Sequence, residues 1–231
     1  GVYSQGCNNL SVDAGSNHTI CLADSVQIGG NPTADTTGSG NITIAYSWAP
    51  NINISNDTIS NPYVNPTSTT TYTVTVTIDS LGNTCTETSS ITVTVNSLPN
   101  VNATNSGPIC SGQSLSLNET GGDAISWQWS TNGSNFSTLQ SPIYANATNG
   151  QVFTVIGDDG TCTASTTTTV TVHSLPNVTL APFADICSNA SSFQLSGGSP
   201  IGGTYSGSGV SNNIFDPSLA NIGSNTITYT Y

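Results

Sequence analysis

Six cysteines, two histidines and twelve carboxylates carry whatever side-chain chemistry this 231-residue chain can perform, because it contains no Lys or Arg and has a net charge of −12. Cysteines act as metal ligands, nucleophiles or disulfide halves, and their spacing separates these uses. Cys7, Cys21, Cys85, Cys110, Cys162 and Cys187 include no C-x-x-C pair, and His18 and His173 stand 155 positions apart, so no zinc pattern is present. All six therefore read as disulfide halves, which puts the chain in an oxidising, extracellular compartment. Catalysis requires tuned acids, bases or nucleophiles gathered in a pocket. His173 occupies a repeat position held elsewhere by Asn96, and His18 falls in what reads as a loop before Cys21. A Ser-His-Asp triad drawn from so many serines would be arbitrary, so no enzyme is expected. Asp158-Asp159-Gly160, Asp57 and Asp79 are the only calcium candidates, and Asp-Gly is ordinary hairpin-turn chemistry. Gly202 to Gly209 has no Lys and no following helix to make a phosphate loop. No cofactor and no metal are assigned.

The elements that must hold these residues follow from composition. Met is absent, Glu occurs only at Glu87 and Glu119, and Thr, Val, Ile, Asn and Gly dominate, which disfavours helix and favours strands. Only 5% of residues are charged and 35% are apolar, against about 25% and 45–50% in ordinary domains. Several small β-cores fit this better than one large one. A polyanion without Lys or Arg is repelled by phosphate backbones, so nucleic acid is excluded as a direct partner. No apolar run approaches the roughly 20 residues of a membrane span, so no membrane insertion is expected. Gly1-Val2-Tyr3-Ser4 lacks a basic leader, so the chain reads as a mature or internal segment of an exported protein.

An internal repeat sets the domain plan. Val95-Asn96-Ser97-Leu98-Pro99-Asn100-Val101 returns 77 residues later as Val172-His173-Ser174-Leu175-Pro176-Asn177-Val178. Ile20-Cys21, Ile109-Cys110 and Ile186-Cys187 each follow a Val by the same interval. The second cysteine of a unit comes after a hairpin in which Thr alternates with Val, Ile, Tyr or Phe: Thr70 to Ile78 before Cys85, and Val152 to Ile156 before Cys162. One face of each such strand is buried and the other wet. The expected modules are 12–96, 97–173 and 174–231, with Cys21–Cys85 and Cys110–Cys162 as intramodule bridges. Trp48, Trp127 and Trp129 fall in alternating segments and are expected in cores.

Cys7 and Cys187 are left over. The chain stops in the alternating run Asn225 to Tyr231, where the earlier modules still have a turn and a cysteine strand to come, and Gly1 to Cys7 looks like that missing piece. Joining the tail of one copy to the head of the next separates Cys187 from the following Cys7 by 51 residues, against 52 between Cys110 and Cys162. Residues 1–11 are therefore read as a strand completing a preceding module, module 3 as incomplete, and the expected partner as another copy or repeat placed end to end. Cys7 precedes Cys21 by only 14 residues, where the equivalent interval elsewhere is 25, so about one strand is missing at that junction. An open sheet edge there invites strand addition.

Asp185-Ile186-Cys187, Phe193 to Val210 with its Gly-Gly-Ser-Pro and Gly-Gly-Thr-Tyr runs, Phe215-Asp216-Pro217 and Thr226-Ile227-Thr228-Tyr229 resemble the Ig-like or PKD-like tandem repeats of large Bacteroidota surface proteins of the gliding-motility adhesin type. Thr69 to Val74 with the later Cys85, and Trp127-Gln128-Trp129-Ser130, are similar to the same group. The resemblance implies an all-β chain of tandem, disulfide-stapled Ig-like sandwiches arranged as a linear rod or filament, at the cell surface. It departs from antibody domains, whose bridge joins strands B and F inside the sandwich. The resemblance also implies O-glycosylation at Ser25, Thr36, Thr58 and Ser80, each of which follows an Asp, so covalent glycans are an expected decoration. Asn-x-Ser/Thr sequons recur from Asn9 to Asn189 in this Asn-rich chain. At about 35–40 Å per module, three modules would span about 100–120 Å. The function expected is a stiff, protease-resistant stalk of an adhesin or filament, the alternative being a glycan- or surface-binding adhesive module centred on the glycine-rich third unit.

Overall fold

The computed structural model describes residues 10–36, 42–80 and 83–231, so Cys7 and the rest of the expected N-terminal completing strand up to residue 9 lie outside the described residues. The first unit contains β1 (Ser11–Val12), β2 (His18–Cys21), β3 (Val26–Gln27), β4 (Ala34–Asp35), β5 (Ile42–Ala49), β6 (Tyr63–Val64), β7 (Thr70–Ser80) and β8 (Asn83–Asn96). Its main sheet runs β2-β8-β7-β5, with β2 parallel to the end of β8 and the other pairs antiparallel. The period-two pattern does the work here: Tyr72, Val74, Val76 and Ile78 of β7 turn inward with Ile91 and Val93 of β8. On the wet face, hydroxyls bond across the strands, Thr71 to Thr92 at 3.0 Å and Thr73 to Ser90 at 2.8 Å. Ile28 and Val64, beside the small β3–β6 pair, share the core with Trp48, whose Nε1 donates to the Ile59 carbonyl at 2.9 Å. His18 lies on β2 rather than in a loop.

The second unit repeats this plan with β9 (Ala103–Asn105), β10 (Ile109–Cys110), β11 (Leu115–Glu119), β12 (Ser126–Thr131), β13 (Ser134–Ser137), β14 (Ile143–Tyr144), β15 (Val152–Asp158), β16 (Thr163–Thr169) and β17 (Val172–His173). A four-stranded sheet β13-β12-β15-β16 and a three-stranded sheet β14-β11-β9 share one core of Leu115, Leu117, Trp129, Phe153, Val155 and Val170. Again an early edge strand, β10, pairs in parallel with the last, β17. The β12–β13 turn uses Asn132 and Gly133 at φ 49° and 75°, the left-handed pair that a two-residue hairpin demands. Phe136 and Phe153 both meet the Tyr144 ring edge-on, each at 4.9 Å between centroids. Trp127 is half-buried, whereas Ile125 is 70% exposed and stands outside the strand face it shares in sequence with the tryptophans.

The third unit contains β18 (Thr179–Leu180), β19 (Phe193–Gln194), β20 (Gly198–Ser199), β21 (Thr204–Gly207), β22 (Val210–Ser211), β23 (Ile214–Phe215) and β24 (Ile227–Thr230), with a single 3₁₀ turn at Pro217–Leu219. Its pairings are β18–β20, β19-β23-β22 and β21–β24. Only Leu195 and Phe215 among its large apolar side chains are buried. Tyr229 supplies much of the local order, accepting the Gly203 N–H at 2.7 Å, donating to the Pro200 carbonyl and meeting the Tyr205 ring at 4.7 Å.

The chain is thus an all-β tandem of Ig-like units: sandwiched sheets, an F–G type hairpin, and an early edge strand closing in parallel on the last strand. Among the described residues there is no α-helix, and no helix is long and apolar enough to cross a membrane.

Candidate functional site: the bridged junction

Each unit has two poles, one where the chain enters (N-pole) and one where it leaves (C-pole). Cys21 ends β2 at the C-pole of the first unit. It sits opposite Asn96, the last residue of β8, and the Leu22 N–H donates to the Asn96 carbonyl at 2.9 Å. The chain then turns sharply, with the Asp24 N–H donating to the Cys21 carbonyl at 3.0 Å and Ala23 at φ 76°. Cys162 stands at the N-pole of the second unit, in the β15–β16 hairpin turn. The Asp159 carboxylate organises that turn by accepting the N–H groups of Cys162 at 2.7 Å and Thr161 at 2.8 Å. These bonds, the one from Cys162 first, hold the Asp159 carboxyl below its usual 3.8.

The two cysteines are bonded to each other across the junction, with Cα atoms 5.8 Å apart and 141 residues between them in sequence. This corrects both expected intramodule pairings: Cys21 joins Cys162, so it does not join Cys85, and Cys162 does not join Cys110. The physical reason is polarity. Within a unit the two cysteines occupy opposite poles, because β15 and β16 meet in their turn at the N-pole whereas β10 and β17 end together at the C-pole. A bridge requires Cα atoms within about 7 Å, which the facing poles of the first and second units provide for Cys21 and Cys162.

The remaining cysteines are distributed as follows. Cys85, 9% exposed at the N-pole end of β8, is itself disulfide-bonded. Cys110 and Cys187 are exposed free thiols.

Two carboxylates that sequence reasoning did not single out as sites fix the linker that enters the second unit. Glu119 is 1% exposed, yet the chain holds no Lys or Arg to pair with it. Its Oε1 accepts the N–H groups of Asn102 and Gly121, and its Oε2 accepts the Trp127 Nε1–H at 2.9 Å. Asp123 accepts the Asn100 N–H at 3.0 Å, and the Asn100 side chain donates to the Gly121 carbonyl at 3.1 Å. Gly121 admits no side chain, since a Cβ there would lie 1.8 Å from the Asn100 carbonyl oxygen. The sequence did contain a signal for Glu119, which falls on the same alternating face as Leu115 and Leu117.

An open cleft of about 390 Å³ lies at the bridge, lined by Thr19, Cys21, Asp24, Ser25, Asn96 and Thr161 among others. Asp24 is the one carboxylate in its lining. Ser25, one of the expected sugar positions, is exposed on its rim. Thr58 is exposed, with its hydroxyl donating to Asn56 Oδ1 at 2.7 Å; Thr36 is half-buried and Ser80 ends β7. These four positions are scattered over the first unit rather than gathered. Among the described residues no cluster of three His, Cys, Asp or Glu is placed to hold a metal. A second cleft, of about 870 Å³ in the third unit, is lined by Phe183, Ile186, Phe193, Phe215, Ile222 and Ile227 among others.

No family model matches the chain, and no curated protein does. Solved structures similar to it include an I-band fragment from titin, at 12% identity over 73% of this chain and 67% of that one, with a TM-score of 0.34. Extracellular domains 3–5 of Drosophila OTK are similar at 11% identity, over 71% of this chain and 62% of that one, with a TM-score of 0.34. The N-terminal four Ig domains of Dscam1 isoform 1.9 are similar at 10% identity and a TM-score of 0.28, over 71% of this chain, which spans 46% of that fragment.

Proposed function

We propose that the chain is a structural repeat segment of an extracellular adhesin or filament at the cell surface, of the gliding-motility adhesin type, with modules at 12–96, 97–173 and 174–231. The observation that carries this reading is the Cys21–Cys162 bond, which ties consecutive units together rather than stabilising one of them. A pulling force applied along the chain passes from Cys21 straight to Cys162. The residues between them, which include most of both units, are shielded from load. The polar Thr- and Asn-rich surface keeps the segment soluble or carries glycans, and the lack of Lys and Arg removes every trypsin-type cleavage point.

Single-molecule stretching tests this. About 140 hidden residues correspond to about 460–500 Å of contour length at 3.3–3.6 Å per residue. The native chain is expected to extend by that much less than a Cys21→Ser/Cys162→Ser variant at forces that unfold the units. Equal final extensions would remove the mechanical role.

A second reading, adhesion to a glycan or surface through the third unit, is favoured by one observation, the aromatic-lined cleft of about 870 Å³. Ligand-dependent chemical-shift changes confined to the cleft residues, 180–195 and 215–227, would support it.

A further inference from the structure

The two halves of the Cys21–Cys162 bridge meet solvent unequally. Cys21 is half-buried, whereas Cys162 is only 2% exposed within its turn. The open cleft of about 390 Å³ at the junction has Cys21 and Thr161 in its wall, with Cys162 set behind them. A cleft of that size falls in the range that holds small molecules, which begins at about 300 Å³. A thiolate opens a disulfide by attacking one sulfur in line with the S–S bond and expelling the other, so access decides which sulfur is struck. Here the cleft leads to Cys21, and the turn around Cys162 closes the approach from the other side.

Charge at the junction then selects the thiol. Asp24 lies in the cleft wall beside Cys21, and its own N–H donates to the Cys21 carbonyl at 3.0 Å, which ties its position to the bridge. On the other side, the Asp159 carboxylate accepts the Cys162 N–H at 2.7 Å, and Asp158 accepts the Gly160 N–H at 2.7 Å in the same turn. The chain has no Lys or Arg to offset these carboxylates. A thiol carrying a negative group therefore meets uncompensated negative charge as it nears the bridge, and one carrying a positive group is drawn in.

We infer that Cys21 is a thiol-exchange site, opened by small cationic aminothiols that enter the cleft and expel Cys162. The attacking thiolate forms a new S–S bond to Cys21 as the Cys21–Cys162 bond breaks. The electron pair of the broken bond goes to the Cys162 sulfur, which takes up the proton the aminothiol gave up. One S–S bond is gained and one lost, so no oxidant or reductant is consumed. The site does not depend on the stalk reading above. Under that reading, opening the bridge would add the polypeptide between Cys21 and Cys162 to the part of the chain that bears load.

The test uses the folded chain with Cys110→Ser/Cys187→Ser, which removes the two exposed free thiols. Cysteamine, kept free of oxygen and of its own disulfide, is added near neutral pH at low salt. Acid stops the exchange at successive times, and peptic peptides are weighed. The first adduct is expected on the Cys21 peptide, with Cys162 recovered as a thiol. Mercaptoethanesulfonate, a thiol of similar length and opposite charge, should react about tenfold more slowly per thiolate, with both rates referred to the neutral hydroxyethyl disulfide. Added salt should close that gap. Asp24→Asn should narrow it several-fold, and Ser25→Ala should leave it unchanged. A first adduct on Cys162, equal rates for the two thiols, or a gap that Asp24→Asn does not move overturns the inference. So does bridge opening no faster than the second unit unfolds, followed by its near-ultraviolet circular dichroism. These rates are measured without load and leave the extension expected on removing the bridge untouched, so this site and the stalk reading fail separately.

Discussion

Removing the inter-unit bridge with Cys21→Ser/Cys162→Ser is expected to destabilise the second unit far more than a surface change would, and the size follows from the geometry of the junction. When the second unit unfolds while the first stays folded, Cys21 remains held against Asn96 by the parallel β2–β8 pairing. The loop closed by the bridge is then not the full sequence separation but the stretch from Asn96 to Cys162, about 66 residues. Chain-entropy closure of a loop that size removes about 4 kcal/mol of unfolded-state freedom, an upper figure since real bridges deliver about 2–4. For a unit of this length, 2–4 kcal/mol lowers the melting temperature by about 10–25 °C. Trp127 and Trp129 report on the second unit and Trp48 on the first, so single-tryptophan variants followed by fluorescence separate the two transitions. The bridged protein is expected to melt with the two transitions drawn together, and the variant with the second unit melting early. A shift in the second unit below about 3 °C, with the bridge confirmed intact in the parent, would refute the argument that it closes a long unfolded loop.

Three further outcomes follow. Glu119→Ala leaves the Asn102, Gly121 and Trp127 N–H groups without their acceptor, so it should cost the second unit about 2–4 kcal/mol in chemical denaturation, with Glu119→Gln milder. Burial raises the Tyr72 phenol above its usual 10.0, so the stability it contributes is complete below pH 10 and is lost as pH rises through the folded value. Tyr72→Phe should remove that alkaline loss from the first unit's denaturation profile, while costing about 1 kcal/mol at neutral pH for the bond to the Ile52 carbonyl. Asp159 has a depressed carboxyl, so its contribution to the hairpin turn is present above the usual carboxylate range and disappears as pH falls through the lower folded value. Carboxyl NMR titration should show this, and Asp159→Ala should speed reduction of Cys21–Cys162 by a mild thiol at neutral pH.

How much of this was legible in the sequence depends on whether the deciding interaction is local. The long strands were legible because Thr alternating with Val, Ile and Tyr in β7 states both the strand and the face that goes inward. The linker repeat and the matching Ile-Cys pairs announced equivalent units, and the equivalence of Asn96 with His173 survives down to single hydrogen bonds. Glu119 was half legible: alternation put it on the buried face, but its solvation by three N–H groups depends on Asn102, Gly121 and Trp127 meeting around it.

The bridge partners were not legible, and chain statistics explain why. Loop-closure entropy grows only as the logarithm of length, so a loop of 141 residues costs less than about 1 kcal/mol more to close than one of 52 or 64. Near-equal spacing of cysteines in successive units therefore cannot favour intramodule over intermodule bonds. What decides is the pole at which each cysteine emerges, and that is set by strand direction: the edge strand ending at Cys21 runs parallel to the last strand, so it delivers its cysteine to the exit of the unit. The hairpin arm turns back at the opposite end and delivers Cys162 to the entrance. Strand direction thus sends the two cysteines of a unit to opposite poles, and the Cys21–Cys162 bond holds the second unit to its predecessor.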